Sequence, residues 1–171
     1  MRSRCFQILA VAGTFFLLLK GASVAQNTTL IGLDQAIDMD TRLMREDGGA
    51  EDTCFMHGDF QHFNFLWTRG RLTGVVDWGS ASTGSPSIDV GHCRLNLAVL
   101  FGADWAERFR LAYQAETGRS VDPWRDLQAL AGYGDAWRRF IPVQVNGRVP
   151  VDTGGMTARV EEVLAAALQR V

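Results

Sequence analysis

Apolar residues along the chain fall either at helical spacing or in short strand-like runs. Leu30, Leu33, Ile37, Leu43 and Met44 recur at roughly helical spacing, which predicts an amphipathic helix over 30–46 ended by Asp47-Gly48-Gly49. Residues 53–56 are a short apolar run leading into His57. Asn64-Phe65-Leu66-Trp67 reads as a strand, Arg69-Gly70-Arg71 as a turn, and residues 72–78 as the returning strand. Gly84-Ser85-Pro86-Ser87 reads as a loop. Ser87 or Asp89 is then expected to cap a helix running to about Phe101, with Val90, Cys93, Leu97 and Leu100 as its buried stripe. Further helices are predicted at about 103–117, 123–139 and 155–170, with a loop over 147–155. Gly118 suits a helix end and Pro123 a first turn. No internal repeat or low-complexity tract interrupts this order. The predicted fold class is α+β and mainly helical, a small β-hairpin followed by a helical body.

Residues 1–25 stand apart. Arg2 and Arg4 precede an apolar run over 5–19, and Ser23-Val24-Ala25 supplies small residues of the kind a signal peptidase reads. That is the layout of a secretory signal peptide. The apolar run is too short for a comfortable bilayer crossing, so no stable membrane span is expected. Two other readings stay open. The segment is a leader unrelated to the fold, from a mis-set start or a fusion, or it is a strand over 14–20 that ends in Lys20.

Composition narrows the class. With 171 residues, 47% hydrophobic and 21% charged, the chain is long and apolar enough to fold as one domain with a real core. A net charge of -2 and an isoelectric point near 5.9 argue against a nucleic-acid partner. Cys5, Cys54 and Cys93 form no C-x-x-C pair, and their odd number gives no disulfide framework. Buried thiols are expected, with a Cys54–Cys93 bridge as the alternative if the protein is exported.

The chemistry concentrates in one stretch. His57-Gly58-Asp59 is followed five residues on by Asn64 and thirteen residues later by Asp77. Asp59 and Asn64 fall at one end of the predicted hairpin and Asp77 at the end of its return strand, so a short turn brings both ends to one place. Three oxygen-bearing side chains in this order can build a phosphoryl-transfer centre. Asp59 can orient and deprotonate a hydroxyl, while Asn64 and Asp77 can hold magnesium.

These residues carry a resemblance. The run from His57 to Trp67, the run Gly70-Arg71-Leu72-Thr73-Gly74-Val75-Val76-Asp77-Trp78, and Asp89-Val90-Gly91-His92 resemble the aminoglycoside phosphotransferase family, small-molecule kinases of protein-kinase-like fold. The resemblance covers residues 30–171 and is clearest over 53–171. It implies an ATP- and Mg2+-dependent phosphorylation of a hydroxyl on a small-molecule acceptor, in the cytoplasm. In its terms Asp59 matches the catalytic aspartate, Asn64 and Asp77 the magnesium ligands that bridge the ATP phosphates, and His57 a structural member of the catalytic loop. Asp89 matches the aspartate that braces that loop by accepting backbone N–H bonds. His62-Phe63 stand where the family often has proline and glycine.

Upstream the resemblance departs. Such kinases need a glycine-rich turn over the phosphates and a lysine that pairs with them. Lys20 is the sole lysine, too close ahead of Asp59 for a five-stranded ATP lobe to fit between. The chain therefore reads as the C-terminal lobe alone, with the N-terminal ATP lobe missing or separately encoded. Self-association through the surface that lobe would cover is expected, and unaided activity is in doubt. The competing reading is a non-catalytic remnant or an exported binding module. Zinc on His57, His62 and a cysteine is a weaker alternative, and most tryptophans are expected in the core rather than in an aromatic box for a cation.

Overall fold

The computed structural model describes residues 53–133, 136–145 and 152–170. Within them lie four strands: β1 (Cys54–Met56), β2 (Phe65–Thr68), β3 (Arg71–Val75) and β4 (Ser82–Gly84). Five helices follow: α1 (Pro86–Phe101), α2 (Ala103–Thr117), α3 (Pro123–Tyr133), α4 (Trp137–Val145) and α5 (Met156–Leu168). The architecture is α+β and mainly helical, as the residue pattern predicts. The leader over 1–25 and the helix expected over 30–46 lie outside the described residues.

The strands are nested. β2 and β3 form an antiparallel hairpin, and β1 and β4, which flank it in sequence, pair antiparallel with each other. Both segments joining the two ladders, residues 57–64 and 76–81, are thereby drawn to the same end of the hairpin. Phe65 pairs with Val75, and one bond beyond them the Val76 amide donates to the Asn64 carbonyl at 2.9 Å. A register shift between Leu66 and Trp67 bends the hairpin without moving that end.

Helix α1 is the centre of the body and packs against α2, α3, α5 and β1. Ser85 starts it: its hydroxyl accepts the Ser87 amide, and Pro86 takes the first position, where a missing N–H costs nothing. Ser87 and Asp89, the expected caps, sit inside the first turn. The expected stripe of Val90, Cys93, Leu97 and Leu100 is buried, and so are Arg94 and Asn96, because neighbours cover α1 on nearly every side. Gly118 ends α2 in the left-handed conformation, and Asp122 opens α3 by accepting the Trp124 amide.

Two core clusters meet on α1. One joins Leu95 and Val99 to Leu127, Ile141, Val160 and Leu164. The other joins Val90, Cys93 and Leu97 to Phe109 and Tyr113 of α2 and to Phe60 and Phe65, which flank the segment before β2. That segment is thus nailed to the helical body by two aromatic side chains. Cys54 and Cys93 are both thiols, and burial pushes the Cys93 thiol up. Trp67, Trp105 and Trp124 are partly buried against these clusters, while Trp78 is exposed.

Two expectations need correction. The return strand ends at Val75 rather than at Trp78. Asp77 turns left-handed there, and Trp78 folds back so that its Nε1 donates to the Val75 carbonyl at 2.9 Å. The single helix expected over 123–139 is instead α3 and α4, and Gly132, a residue of poor helix propensity, falls in the last turn of α3. Among the described residues no helix is long and apolar enough to cross a membrane.

A buried ionic knot ties the helices. Arg94 of α1, 1% exposed, donates to the Ala106 carbonyl and pairs with Asp126 of α3. Arg170, just beyond α5, reaches Asp126 at 2.7 Å and Glu107 of α2 at 3.5 Å. A buried charge is tolerable only while paired, so removing one partner is far worse than replacing both. Asp126→Ala is expected to lower unfolding stability by about 3–5 kcal/mol in urea titration. Arg94→Met combined with Asp126→Leu should lose less than the sum of its single changes, and additive losses would contradict this account.

Candidate active site

The segment between β1 and β2 is held from α1 by one carboxylate. Asp89 accepts the His57 amide at 2.7 Å and the Gly58 amide at 2.9 Å, one on each oxygen. Burial pushes the Asp89 carboxyl up and these two N–H bonds pull it down, with the upward effect larger. His57 locks the opposite side: its Nε2 bonds the Val76 carbonyl at 2.8 Å, and its Nδ1 accepts the Asp59 amide at 3.2 Å. A ring with an acceptor at Nδ1 and a carbonyl at Nε2 carries its proton on Nε2. Gly58 has φ +78°, and a Cβ there would stand 2.2 Å from the Ser80 carbonyl oxygen. Only glycine fits that turn.

Asp59 emerges from this anchor as the centre of a polar cluster. Gln61 Nε2 donates to both carboxylate oxygens, at 3.0 and 3.1 Å. Asn64 Nδ2 donates to the Asp59 carbonyl at 2.9 Å and to Oδ2 at 3.1 Å. His92 of α1 places Nε2 3.4 Å from Oδ1. Burial lowers the affinity of His92 for a proton, and the Asp59 charge opposes it. The Asp59 side chain nonetheless keeps 29% of its surface exposed.

The residues singled out in the sequence are therefore joined in different ways. His57, Asp59, Asn64 and Asp89 form one hydrogen-bonded unit. Asp77 joins it through the backbone alone, since Val76 beside it bonds both Asn64 and His57. Asp77 adopts φ 65° and ψ 57°, is exposed, and makes no capping bond to the turn of 3-10 helix it precedes. With its nitrogen spent on Asp59, Asn64 is left with Oδ1 as its available donor atom for a cation. Asn64 and Asp77 thus offer an amide oxygen and a carboxylate, both hard donors suited to Mg2+. Among the described residues no three His, Cys, Asp or Glu side chains gather in the way a zinc site requires.

Asp59 also faces a cleft of about 390 Å³ between this segment and helices α1 and α3. Gly58, Asp59, Ser80, Ile88, His92, Arg125, Gln128 and Ala129 line it. Helices α1 and α3 pack closely at Gly91, where a Cβ would meet the Arg125 carbonyl oxygen at 2.9 Å. Read from the sequence, Gln61, Arg125 and Gln128 have no site role, and His92 enters only at the end of the run Asp89-Val90-Gly91-His92. No spacing signal marks Arg125 or Gln128, which reach the cleft only through the packing of α3 on α1.

A family model described as the phosphotransferase enzyme family (APH) matches residues 17–133, more than half of the chain. The chain belongs to the phosphotransferase enzyme family. The match includes every site residue named above and ends with α3. Membership implies phosphotransferase chemistry in general. Comparison with curated proteins finds no match.

His62 is the costly member of the segment. Both ring nitrogens are buried without a hydrogen-bond partner among the described residues, the ring lies against Phe63 and Phe101, and burial pushes its pKa down from 6.5 to about 4. Between those values the unfolded chain binds the proton and the folded one does not. Stability is therefore full above about pH 6.5 and falls as the pH drops toward 4, by up to about 3 kcal/mol. His62→Phe should flatten that acid limb in urea titrations at pH 7 and pH 4.5, and an unchanged limb would show that His62 is not its source.

Proposed function

We propose that this phosphotransferase moves the γ-phosphoryl group of ATP to a hydroxyl of a small molecule, with Mg2+ held by Asn64 and Asp77. The observation that carries the reading is Asp77. A non-glycine residue in the left-handed region costs about 1 kcal/mol. Asp77 accepts that cost at an exposed position where its side chain caps nothing. Strain kept without a structural return is typical of a side chain aimed for chemistry.

Each residue has a task in this reading. Asp59, oriented by Gln61, Asn64 and His92, accepts the proton of the acceptor hydroxyl as the new O–P bond forms and the bond from the γ-phosphorus to the bridging oxygen of ADP breaks. Asn64 presents Oδ1 to the ion because its nitrogen is committed to Asp59. The bound ion supplies neutralisation of phosphate charge. Asp89 and His57 hold the loop so that Asp59 needs no reorganisation at the moment of transfer. The described residues then serve as the acceptor-side lobe of a protein-kinase-like fold. The remaining nucleotide contacts come from upstream residues or from a separately encoded lobe.

Calorimetric titration of the full chain with MgATP tests the reading. Native protein should give saturable heat, and Asp77→Ala should give none. Equal, negligible heat for both would defeat it. Asp77→Gly separates the task from the fold: it should unfold at a higher temperature, by about 1 kcal/mol of stability, while losing the MgATP heat.

A further inference from the structure

Among the described residues, the cleft beside Asp59 is lined by a guanidinium and by no carboxylate other than Asp59 itself. The guanidinium belongs to Arg125, on the first turn of α3 and three-quarters buried. Its Nη1 donates to Gln128 Oε1 at 2.6 Å, so Gln128 fixes the orientation of the fork. Its Nε is buried with no hydrogen-bond partner among the described residues, and its charge is paired with Asp122, whose Oδ2 stands 4.0 Å away. An arginine fork held in one orientation, with a quarter of its side chain still exposed, is a partner for a planar or tetrahedral anion.

The other lining groups agree with this polarity. Both Asp59 oxygens already accept hydrogen bonds, and burial disfavours the charged form of His92. A polycationic acceptor would therefore meet Arg125 as a like charge and find few carboxylates in compensation. Resting on the phosphoryl-transfer reading, we infer that the acceptor is a small hydroxyl compound carrying a negative charge, a carboxylate or a phosphate. Its anion binds Arg125 and its hydroxyl is turned toward Asp59. A volume of about 390 Å³ suits a molecule of monosaccharide size.

The test uses the full chain and four probes: glucuronate, glucose 6-phosphate, glucose and the polycation kanamycin. Binding is followed by nuclear magnetic resonance through the Arg125 Nε and His92 ring signals. One or both anionic probes should shift these signals saturably, with glucose weaker by roughly tenfold or more, as befits loss of a charge-assisted bond. Arg125→Gln, checked for folding by circular dichroism, should weaken the anion by a similar factor. The glucuronate and glucose 6-phosphate arms separate a carboxylate from a phosphate acceptor. Kanamycin binding as tightly as both anions, or anion binding unchanged in Arg125→Gln, would overturn the inference. Absence of MgATP heat with anion binding intact would instead defeat the phosphoryl-transfer reading alone.

Discussion

The Asp89 carboxylate, reaching from the first turn of α1 to the amides of His57 and Gly58, is the contact on which the site depends. A turn with a left-handed glycine has no ladder of its own to hold it, and the two N–H groups would otherwise be buried without acceptors. By taking both, Asp89 converts a loop into a fixed mount. His57 then spans from this mount to Val76, and Asp59 leaves it at a defined angle. The chain of contacts runs by hydrogen bonds from a buried helix to the partly buried Asp59 carboxylate.

The body supports that mount by two different means. Phe60 and Phe65, on either side of the polar cluster, enter an apolar core with Val90 and Leu97. Away from the site, the Arg94, Asp126, Glu107 and Arg170 knot fixes α1 against α2 and α3. Buried ions of this kind add little net stability over an apolar core of equal volume, but they penalise misplaced helices heavily. Because α3 carries Arg125, the registration of α3 on α1 also sets the polarity of the cleft. Stability and site geometry are therefore set on the same helix.

Much of this was legible in the residues. The hairpin was visible because short apolar runs flank Arg69-Gly70-Arg71, and the convergence of Asn64 with the Asp77 end follows from the hairpin's closure. The bracing role suggested for Asp89 by resemblance has a geometric counterpart in its two backbone bonds. What escaped was set by tertiary packing. Ser85 rather than Ser87 caps α1 because Pro86 forces the first helical position. The return strand stops early because Asp77 leaves the β region for the left-handed one, which aspartate tolerates better than most residues but which nothing in the flanking sequence signals. The burial of Arg94 on a helix read as having one apolar stripe is intelligible only once Asp126 and Arg170 stand opposite it. Arg125 and Gln128 belong to no motif, and reach the cleft beside Asp59 only through the packing of α3 on α1 at Gly91.

The central claim is that a loop fixed by Asp89 presents Asn64 beside Asp77 as one cation site. Paramagnetic Mn2+ in place of Mg2+, added with ATP to isotopically labelled full chain, measures this most directly. Selective broadening of the Asn64 side-chain amide and of the Asp77 and Trp78 backbone amides, lost in Asp77→Ala, is the predicted result. Broadening centred on other carboxylates, or none at any of these positions, would contradict it.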